Sequence, residues 1–170
     1  SREYLRVSAA LFLSGFATFS LLYCVQPLLP ELVVTFAVSP AQSALALSVS
    51  TGCLAISIVL AGALSEGLGR RKLMFISMAL AALCNLVASY LPQWHALLAA
   101  RALEGILLGG VPAVAMAYLS EEIDPKGLGF AMGLYVGGTA LGGMLGRVGM
   151  SAMTEFWGWR HALAALSVLD

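Results

Sequence analysis

Two opposite charges, Arg101 and Glu104, lie three residues apart within the apolar segment Ala96–Leu119. A separation of three places both side chains on one face of a helix. If this helix begins near residue 95 and crosses a membrane, Glu104 lies about 13 Å deep, close to the midplane of a hydrocarbon core of about 30 Å. Ionisable groups at that depth mark functional paths. We interpret the pair as a proton-loading acid with an electrostatic partner; the alternative is a static ion pair that fixes helix packing.

Three further polar residues lie near the predicted outer ends of apolar segments, namely Tyr23, Gln26 and Arg147. Gln26 and Tyr23 are predicted to line a substrate cavity, although Gln26 could equally bond the backbone of a neighbouring helix. Arg147 has two interpretations that the sequence leaves open. It either lines the cavity and binds an anionic group, or extends along the helix to reach the membrane surface.

The composition indicates that lipid is the solvent of these segments. The chain has 170 residues, of which 60% are hydrophobic and 11% charged, whereas a soluble domain carries about 25% charged residues. Spanning segments of this length must be helical, because backbone groups in hydrocarbon have to bond within their own segment. We therefore predict an all-α bundle of six transmembrane helices. The predicted spans are Leu5–Leu29, Ala41–Leu64, Leu73–Leu91, Ala96–Leu119, Gly127–Met153 and a sixth that begins near His161.

The basic residues are distributed unevenly between the two sides of this bundle. If the helices alternate in direction, six of them fall on one side and Arg160 alone on the other. Because basic connections stay in the cytoplasm, the N-terminus is predicted to be cytoplasmic. The six are Arg2, Arg6, Arg70, Arg71, Lys72 and Lys126.

A shift of 89 positions brings Ser65-Glu66-x-x-Gly69-x-Arg71 onto Thr154-Glu155-x-x-Gly158-x-Arg160. The same shift superimposes the first predicted span on the fourth and the second on the fifth. Three helices per unit force opposite orientations in the membrane, so the pattern predicts two inverted three-helix repeats over residues 1–170. The sixth span is expected to be truncated at Asp170.

The connection between the second and third spans joins a glycine, an acid and a basic cluster, and faces the acidic end of the fourth span on the same side. Ion pairs between the two connections would form a gate that breaks when this side opens; alternatively, the basic cluster only sets the topology. The predicted gating residues are Gly62, Glu66, Gly69, Arg70, Arg71, Glu121 and Glu122.

Neither catalytic nor metal-binding chemistry is indicated. Cys24, Cys53 and Cys84 all lie inside apolar runs, with the spacing of neither a metal site nor a disulfide framework. The chain lacks phosphate-binding and zinc-protease signatures and has no basic face for nucleic acid. We predict no cofactor, no metal, no nucleic-acid partner and no enzymatic activity.

Four motifs occur in order along the predicted spans. They are Tyr23-Cys-Val-Gln26-Pro27-Leu-Leu-Pro30, Gly62-x-x-x-Glu66-x-x-Gly69-Arg70-Arg71, Arg101-x-x-Glu104-Gly105 and Gly133-x8-Gly142-x3-Gly146. On these motifs the sequence resembles the first half of a twelve-helix member of the major facilitator superfamily, in particular bacterial efflux members of the acriflavine-sensitivity and arabinose-efflux type.

The chain departs from the family pattern at several of these positions. Glu66 replaces the usual Asp, and Glu104 replaces the commoner Gln. In the antiporter motif of the fifth helix, Arg147 stands in place of proline, and Met150 and Ser151 in place of two glycines. The direction of transport is therefore left open by the sequence, with export preferred over import.

The resemblance implies a proton-coupled secondary transporter of a small molecule that works by alternating access. The gate would involve Glu66 and Arg71, and the helix-packing glycines would be Gly105, Gly133, Gly142 and Gly146. The implied partners are the lipid bilayer, a small-molecule substrate, protons and a missing C-terminal half. The implied location is the inner membrane. The alternative is a structural or interaction half-bundle that works only when assembled with a partner.

Overall fold

The structure is a computed structural model that describes the backbone of residues 2–170 and the side chains of residues 4–61 and 69–170. All regular structure within this part of the chain is helical, as the composition predicts. The helices are α1 (Arg2–Tyr23), a 3₁₀ turn (Gln26–Leu28), α2 (Leu29–Phe36), α3 (Pro40–Ser43), α4 (Leu45–Leu68), α5 (Arg70–Ala88), α6 (Trp94–Leu108), α7 (Pro112–Glu122), α8 (Pro125–Trp157) and α9 (Trp159–Leu169).

Five helical segments of this bundle are long and apolar enough to cross a membrane. The eleven residues of α9 rise about 16 Å, roughly half the hydrocarbon thickness. We call the end of the bundle that holds the start of α1, the α4–α5 joint and the α7–α8 connection the basic end. The five spans are Tyr4–Phe36, Pro40–Ala61, Arg70–Ala88, Trp94–Glu122 and Pro125–Trp157.

The first span is interrupted rather than continuous. Helix α1 ends at Tyr23, the 3₁₀ turn follows, and α2 carries the span to Phe36 instead of the predicted end at Leu29. Pro27 explains the break, because a proline has no N–H to donate to the carbonyl four residues earlier. Because the α-helix ends at Tyr23, the carbonyls of its last turn lack helical partners and are available to other donors.

The fourth span is also interrupted, although the sequence predicted one helix over Ala96–Leu119. The N–H of Gly110 donates to the carbonyl of Leu107 at 3.2 Å, and that of Val111 to the carbonyl of Leu108 at 3.1 Å. These are the tighter bonds of a 3₁₀ turn, and Pro112 follows without an N–H of its own. The first and fourth spans are repeat-related, and each is interrupted next to a proline.

The helix packing agrees with the inverted repeat. The most extensive contacts are those of α1 with α8 and of α4 with α6, which the 89-residue shift interconverts. The shift also relates Gly69 (φ +81°) to Gly158 (φ +75°), the left-handed joints before α5 and α9. At the contacts themselves, Ser20 packs on Gly146 in one pair of helices just as Ser57 packs on Gly109 in the other.

Candidate functional site

The guanidinium of Arg101 lies at the centre of the bundle and bonds to backbone carbonyls of two other spans. Its Nε donates to the carbonyl of Ala46 on α4 at 3.2 Å. Its Nη2 donates to the carbonyl of Leu22 at 2.8 Å, and Nη1 to that of Leu21 at 3.4 Å. Leu21 and Leu22 belong to the last turn of α1, where the break at Pro27 leaves acceptors available. The arginine thus caps the interrupted first span.

The same guanidinium pairs with the carboxylate predicted from the sequence. Nη1 of Arg101 donates to Oε2 of Glu104 and, at 3.3 Å, to Oδ1 of Asn85 on α5. The amide nitrogen of Asn85 lies 3.8 Å from Sγ of Cys24. By contrast, Oε1 of Glu104 is buried with no hydrogen-bond partner among the described residues. Four spans therefore meet at one buried polar cluster with a single unpartnered carboxylate oxygen.

Solvent does not reach this cluster in the conformation described. Arg101 is 1% exposed and Glu104 0% exposed. The carboxylate of Glu104 is therefore enclosed by the helices around it in this conformation.

Asn85 was not singled out by the sequence, although it belongs to the cluster. It is fully buried and fixes the Arg101 fork from the α5 side. The available signal was a single amide side chain within the apolar segment Leu73–Leu91. A polar amide in hydrocarbon needs a partner, and this requirement alone pointed to a buried network.

The three polar residues predicted near the outer ends of the first and fifth spans come together in a second cluster. Nη1 of Arg147 donates to Oε1 of Gln26 at 3.2 Å, and its Nε donates to the carbonyl of Gly143 at 2.7 Å. The guanidinium carbon lies 5.4 Å from the ring centroid of Tyr23, within the range of a cation–π contact. Gln26 and Arg147 are exposed in this chain, so the cluster lies on an open face.

Comparison with known proteins decides the family. The Major Facilitator Superfamily sequence profile matches residues 11–169 of this chain. The chain belongs to the Major Facilitator Superfamily. The resemblance carried by the four sequence motifs is thereby confirmed, and the bundle of this superfamily member is a multi-pass membrane structure.

Transporters of two bacteria are similar over almost the whole chain. It is 48% identical to the inner membrane transport protein YnfM of Escherichia coli (strain K12), over 96% of this chain and 39% of that protein. It is 43% identical to the uncharacterized MFS-type transporter YybF of Bacillus subtilis (strain 168), over 97% of this chain and 41% of that protein. The chain thus spans about two fifths of the length of these relatives.

A solved structure shares the fold. The MFS proton:xylose symporter XylE, bound to 6-bromo-6-deoxy-D-glucose, matches with a TM-score of 0.77 at 16% identity, over 99% of this chain and 43% of that chain. At this identity the likeness shows the architecture alone. It agrees with the predicted all-α membrane bundle.

Three of the four predicted packing glycines of this superfamily member lie at close helix contacts. A Cβ added at Gly105 would collide with the backbone of Ser50, and one at Gly142 with that of Phe16. A Cβ at Gly146 would lie 2.8 Å from Cα of Ser20. These glycines allow the backbones of α6 and α4, and of α8 and α1, to approach closely.

Gly133 was predicted to pack in the same way, and the structure corrects this. It is exposed, and no described atom lies within 4 Å of where its Cβ would stand. The reason is helical geometry. Nine residues separate Gly133 from Gly142, which is about two and a half turns and places the two glycines on opposite faces of α8.

Of the predicted gating residues, Gly62 and Glu66 fall outside the residues whose side chains are described, and the others lie at the basic end. Gly69 forms the left-handed joint between α4 and α5. An ion pair of 2.8 Å joins Arg70 to Glu121 at the end of α7. Within the described part of the chain, Arg70 rather than Arg71 therefore bridges the two connections.

Arg71 and Glu122 contribute instead to an open cavity of about 900 Å³ between α1, α5 and α7. Arg6 and Tyr118 also line this cavity. At the basic end, the Arg70–Glu121 pair thus lies beside this open cavity, and most of the predicted gating residues converge there.

Proposed function

We propose that this chain forms the N-terminal half of a proton-coupled secondary transporter that exports a small molecule by alternating access. A second six-helix half would complete the passage, since the relatives are more than twice as long. The observation that carries the proposal is the buried Arg101–Glu104 pair with one unpartnered carboxylate oxygen. Ionisable side chains buried at this depth in a membrane are costly, and those that occur are functional by default.

Glu104 is the proton-binding group in this proposal. Its Oε2 is held by Arg101, while Oε1 is free of donors among the described residues and offers a site for a proton. Protonation removes the negative charge that holds the Arg101 fork, and the fork can then bond more closely to Asn85 and the α1 carbonyls. Proton loading would thereby reposition the break in the first span, because the same guanidinium holds both.

The interrupted first and fourth spans supply the mechanical part of the proposal. Discontinuous helices at corresponding positions of the two repeats form the binding sites of many secondary transporters, and an interruption at a proline lets a helix bend. One break lies towards the end of the first span, and the other lies near the middle of the fourth span. Bending at the two in turn would open one side while closing the other. The orientation follows the basic residues, with the N-terminus in the cytoplasm and the bundle in the inner membrane.

Proton coupling can be tested with the full-length protein in liposomes that contain the pH-sensitive dye pyranine. Ethidium, benzoate and xylose represent hydrophobic cations, organic anions and sugars. The wild-type protein is expected to couple movement of at least one of them to protons. Glu104→Gln should stay folded with a lowered melting temperature, because Arg101 loses its counter-charge. It should still exchange substrate, but its substrate-driven proton flux should fall to the background of empty liposomes.

Glu31→Gln is the matched control, because Glu31 is an exposed glutamate on α2, away from the buried Arg101–Glu104 pair. It should transport protons at the wild-type rate. Wild-type proton flux in Glu104→Gln would remove Glu104 from the mechanism. If the full-length protein moved neither protons nor any of the three compounds, the result would favour the alternative function, a structural or interaction half-bundle that works only when assembled with a partner.

A further inference from the structure

Arg147 carries a charge at membrane depth on a face that this chain leaves open. It lies ten residues before the end of α8 at Trp157, which places it about 15 Å from that end along the helix axis. Of the ion pairs that the described residues form, neither includes Arg147. A charge at this depth without an acidic partner faces water or a bundle interior rather than lipid.

The contacts of Arg147 hold its side chain against the bundle. Nε donates to the carbonyl of Gly143, one turn earlier in α8, and Nη1 donates to Oε1 of Gln26. These two bonds keep the guanidinium beside the Tyr23 ring on the open face rather than free in the surrounding solvent.

The exposed surface of α8 is divided into two strips. Gly133, Ala140 and Arg147 recur at intervals of seven and share one exposed face. Leu141 and Val148 recur at the same interval one position further round, and they are exposed and apolar. Since seven residues are almost two full turns, each strip keeps its direction along the helix. The apolar strip suits lipid, and the strip that ends in Arg147 suits an aqueous passage.

We propose that Arg147, Gln26 and Tyr23 form a subsite for the anionic group of an organic acid substrate with an apolar or aromatic body. The inference rests on the proposed transport function and names the substrate class for the same passage. An arginine has five N–H donors, and the described contacts of Arg147 use two of them, to Gly143 and Gln26. The remaining donors match the planar fork geometry of a carboxylate.

Tyr23 and Gln26 prepare this arginine for a ligand. The Tyr23 ring lies beside the guanidinium at 5.4 Å and beside the Phe19 ring at 6.1 Å, so an apolar body can pack against aromatic surface while its acid reaches Arg147. Gln26 holds Nη1 at 3.2 Å and limits the freedom of a long side chain. Ordering the arginine before binding reduces the entropy that binding must remove.

The subsite is tested by thiol labelling of the full-length protein in liposomes, with every native cysteine replaced by alanine and Ala140→Cys introduced. The probes are the anionic sulfonatoethyl and the cationic trimethylammonioethyl methanethiosulfonates. The introduced cysteine should react readily, with a preference for the anionic reagent. Arg147→Gln should lower the anionic-to-cationic rate ratio about three- to tenfold, since one charge acts at short range in partly aqueous surroundings. Arg147→Lys should preserve most of the preference.

Leu145→Cys in the same background is the matched control, because Leu145 is exposed on the side of α8 away from Arg147. Its cysteine should react with neither reagent. Equal reactivity at positions 140 and 145, or a rate ratio that Arg147→Gln leaves unchanged, would overturn the subsite. Proton-coupled flux together with either result would leave the transport function intact and remove only this inference.

Ligand chemistry is tested with benzoate and its neutral analogue benzamide. Benzoate should slow labelling at position 140 at least threefold and raise the melting temperature of the wild-type protein, and benzamide should do neither. The thermal measurement needs no cysteine replacement, so it decides the matter if the cysteine-free protein fails to fold. Equal effects of the two compounds, or stabilisation by benzoate that persists in Arg147→Gln, would contradict an anion subsite at Arg147.

Discussion

Two repeat-related helix pairs, α4 with α6 and α1 with α8, share their packing but differ in how each uses an arginine. Both pairs approach closely through glycine and serine, as at Gly109 with Ser57 and Gly146 with Ser20. In the first pair, Arg101 is enclosed and bonded to four other residues and to Glu104. In the second, Arg147 lies on the open face with two bonds. The same helix packing thus encloses one arginine as a cross-link between spans and leaves the other on an open face.

The two arginines differ in how many hydrogen bonds their guanidinium groups donate. The Arg101 fork makes five described contacts, which hold together α1, α4, α5 and α6. Its removal affects the whole bundle. The described hydrogen bonds of Arg147 join α8 only to the turn just after α1, with the Tyr23 ring beside them. Removal of this side chain should therefore leave the bundle folded and alter only what binds to the open face.

The largest expected effect follows from Arg101→Ala. The substitution leaves Glu104 as an uncompensated buried charge and removes the donors of three backbone carbonyls. Breaking a buried pair on one side costs about 3–5 kcal/mol of folding free energy, a large fraction of the stability of a typical domain. Thermal melting of the purified full-length protein in detergent should show a strongly lowered or absent transition.

Two variants sharpen this result. Arg101→Ala combined with Glu104→Ala removes both charges and should melt above the single variant, because no lone charge stays buried. Arg147→Ala should melt close to the wild-type protein. If Arg147→Ala destabilised the protein as much as Arg101→Ala, the contrast between a cross-link and a ligand site would be wrong.

An intermediate effect is expected from a methyl group added to the α1–α8 contact. In Gly142→Ala the new Cβ would collide with the carbonyl oxygen of Phe16, a backbone atom that cannot rotate away. Overpacking of this kind costs about 1–3 kcal/mol. The melting temperature should fall, and the same shift in the free energy of unfolding should appear in a denaturant titration.

Gly137→Ala is the matched control on the same helix. No described atom lies within 4 Å of its Cβ position, and alanine favours a helix over glycine by about 0.5–1 kcal/mol. Its melting temperature should be unchanged or slightly higher. Equal destabilisation by both variants would mean that helix propensity, and not the closeness of α1 and α8, governs these glycines.

The sequence predicted the buried pair because the relevant information is local. Arg101 and Glu104 are three residues apart on one helix, and two charges within an apolar segment must find each other. Their other partners could not be predicted in this way. The carbonyls of Leu21 and Ala46 have no side-chain signature, and they become partners of Arg101 only through the packing of three separate spans.

The same distinction explains the error at Gly133 and the two missed breaks. A motif lists positions, whereas contact depends on the angular position around the helix, and Gly133 faces away from Gly142. At the breaks, Pro27 and Pro112 were visible in the sequence. Long apolar runs concealed them, because hydropathy measures length in the membrane and does not register a missing N–H.

The smallest expected effect on stability concerns the ion pair at the basic end. Arg70 and Glu121 are joined at 2.8 Å, with side chains 24% and 58% exposed. An exposed pair of this kind contributes less than about 1 kcal/mol, so Arg70→Ala should shift the melting temperature little. If the pair is a gate, the initial rate of proton-coupled transport should nevertheless change, whereas Arg147→Ala should act on substrate affinity instead.

The positions of these charges on their helices permit a finer test. Arg70 begins α5 and Glu121 lies in the last turn of α7, so each charge is opposed by the dipole of its own helix and attracted by that of the other. The double variant Arg70→Glu with Glu121→Arg keeps an ion pair but exchanges its charges. Each charge then complements the dipole of its own helix, which adds about 0.3–1 kcal/mol of stability at each helix end. Each charge is also repelled by the dipole of the other helix, so the attraction across the gate is reversed. The exchanged protein should therefore melt slightly above the wild type yet transport at a rate between those of the wild type and Arg70→Ala. A wild-type transport rate would show that the pair alone holds the gate, and a rate equal to that of Arg70→Ala would show that the attraction across the helix ends does.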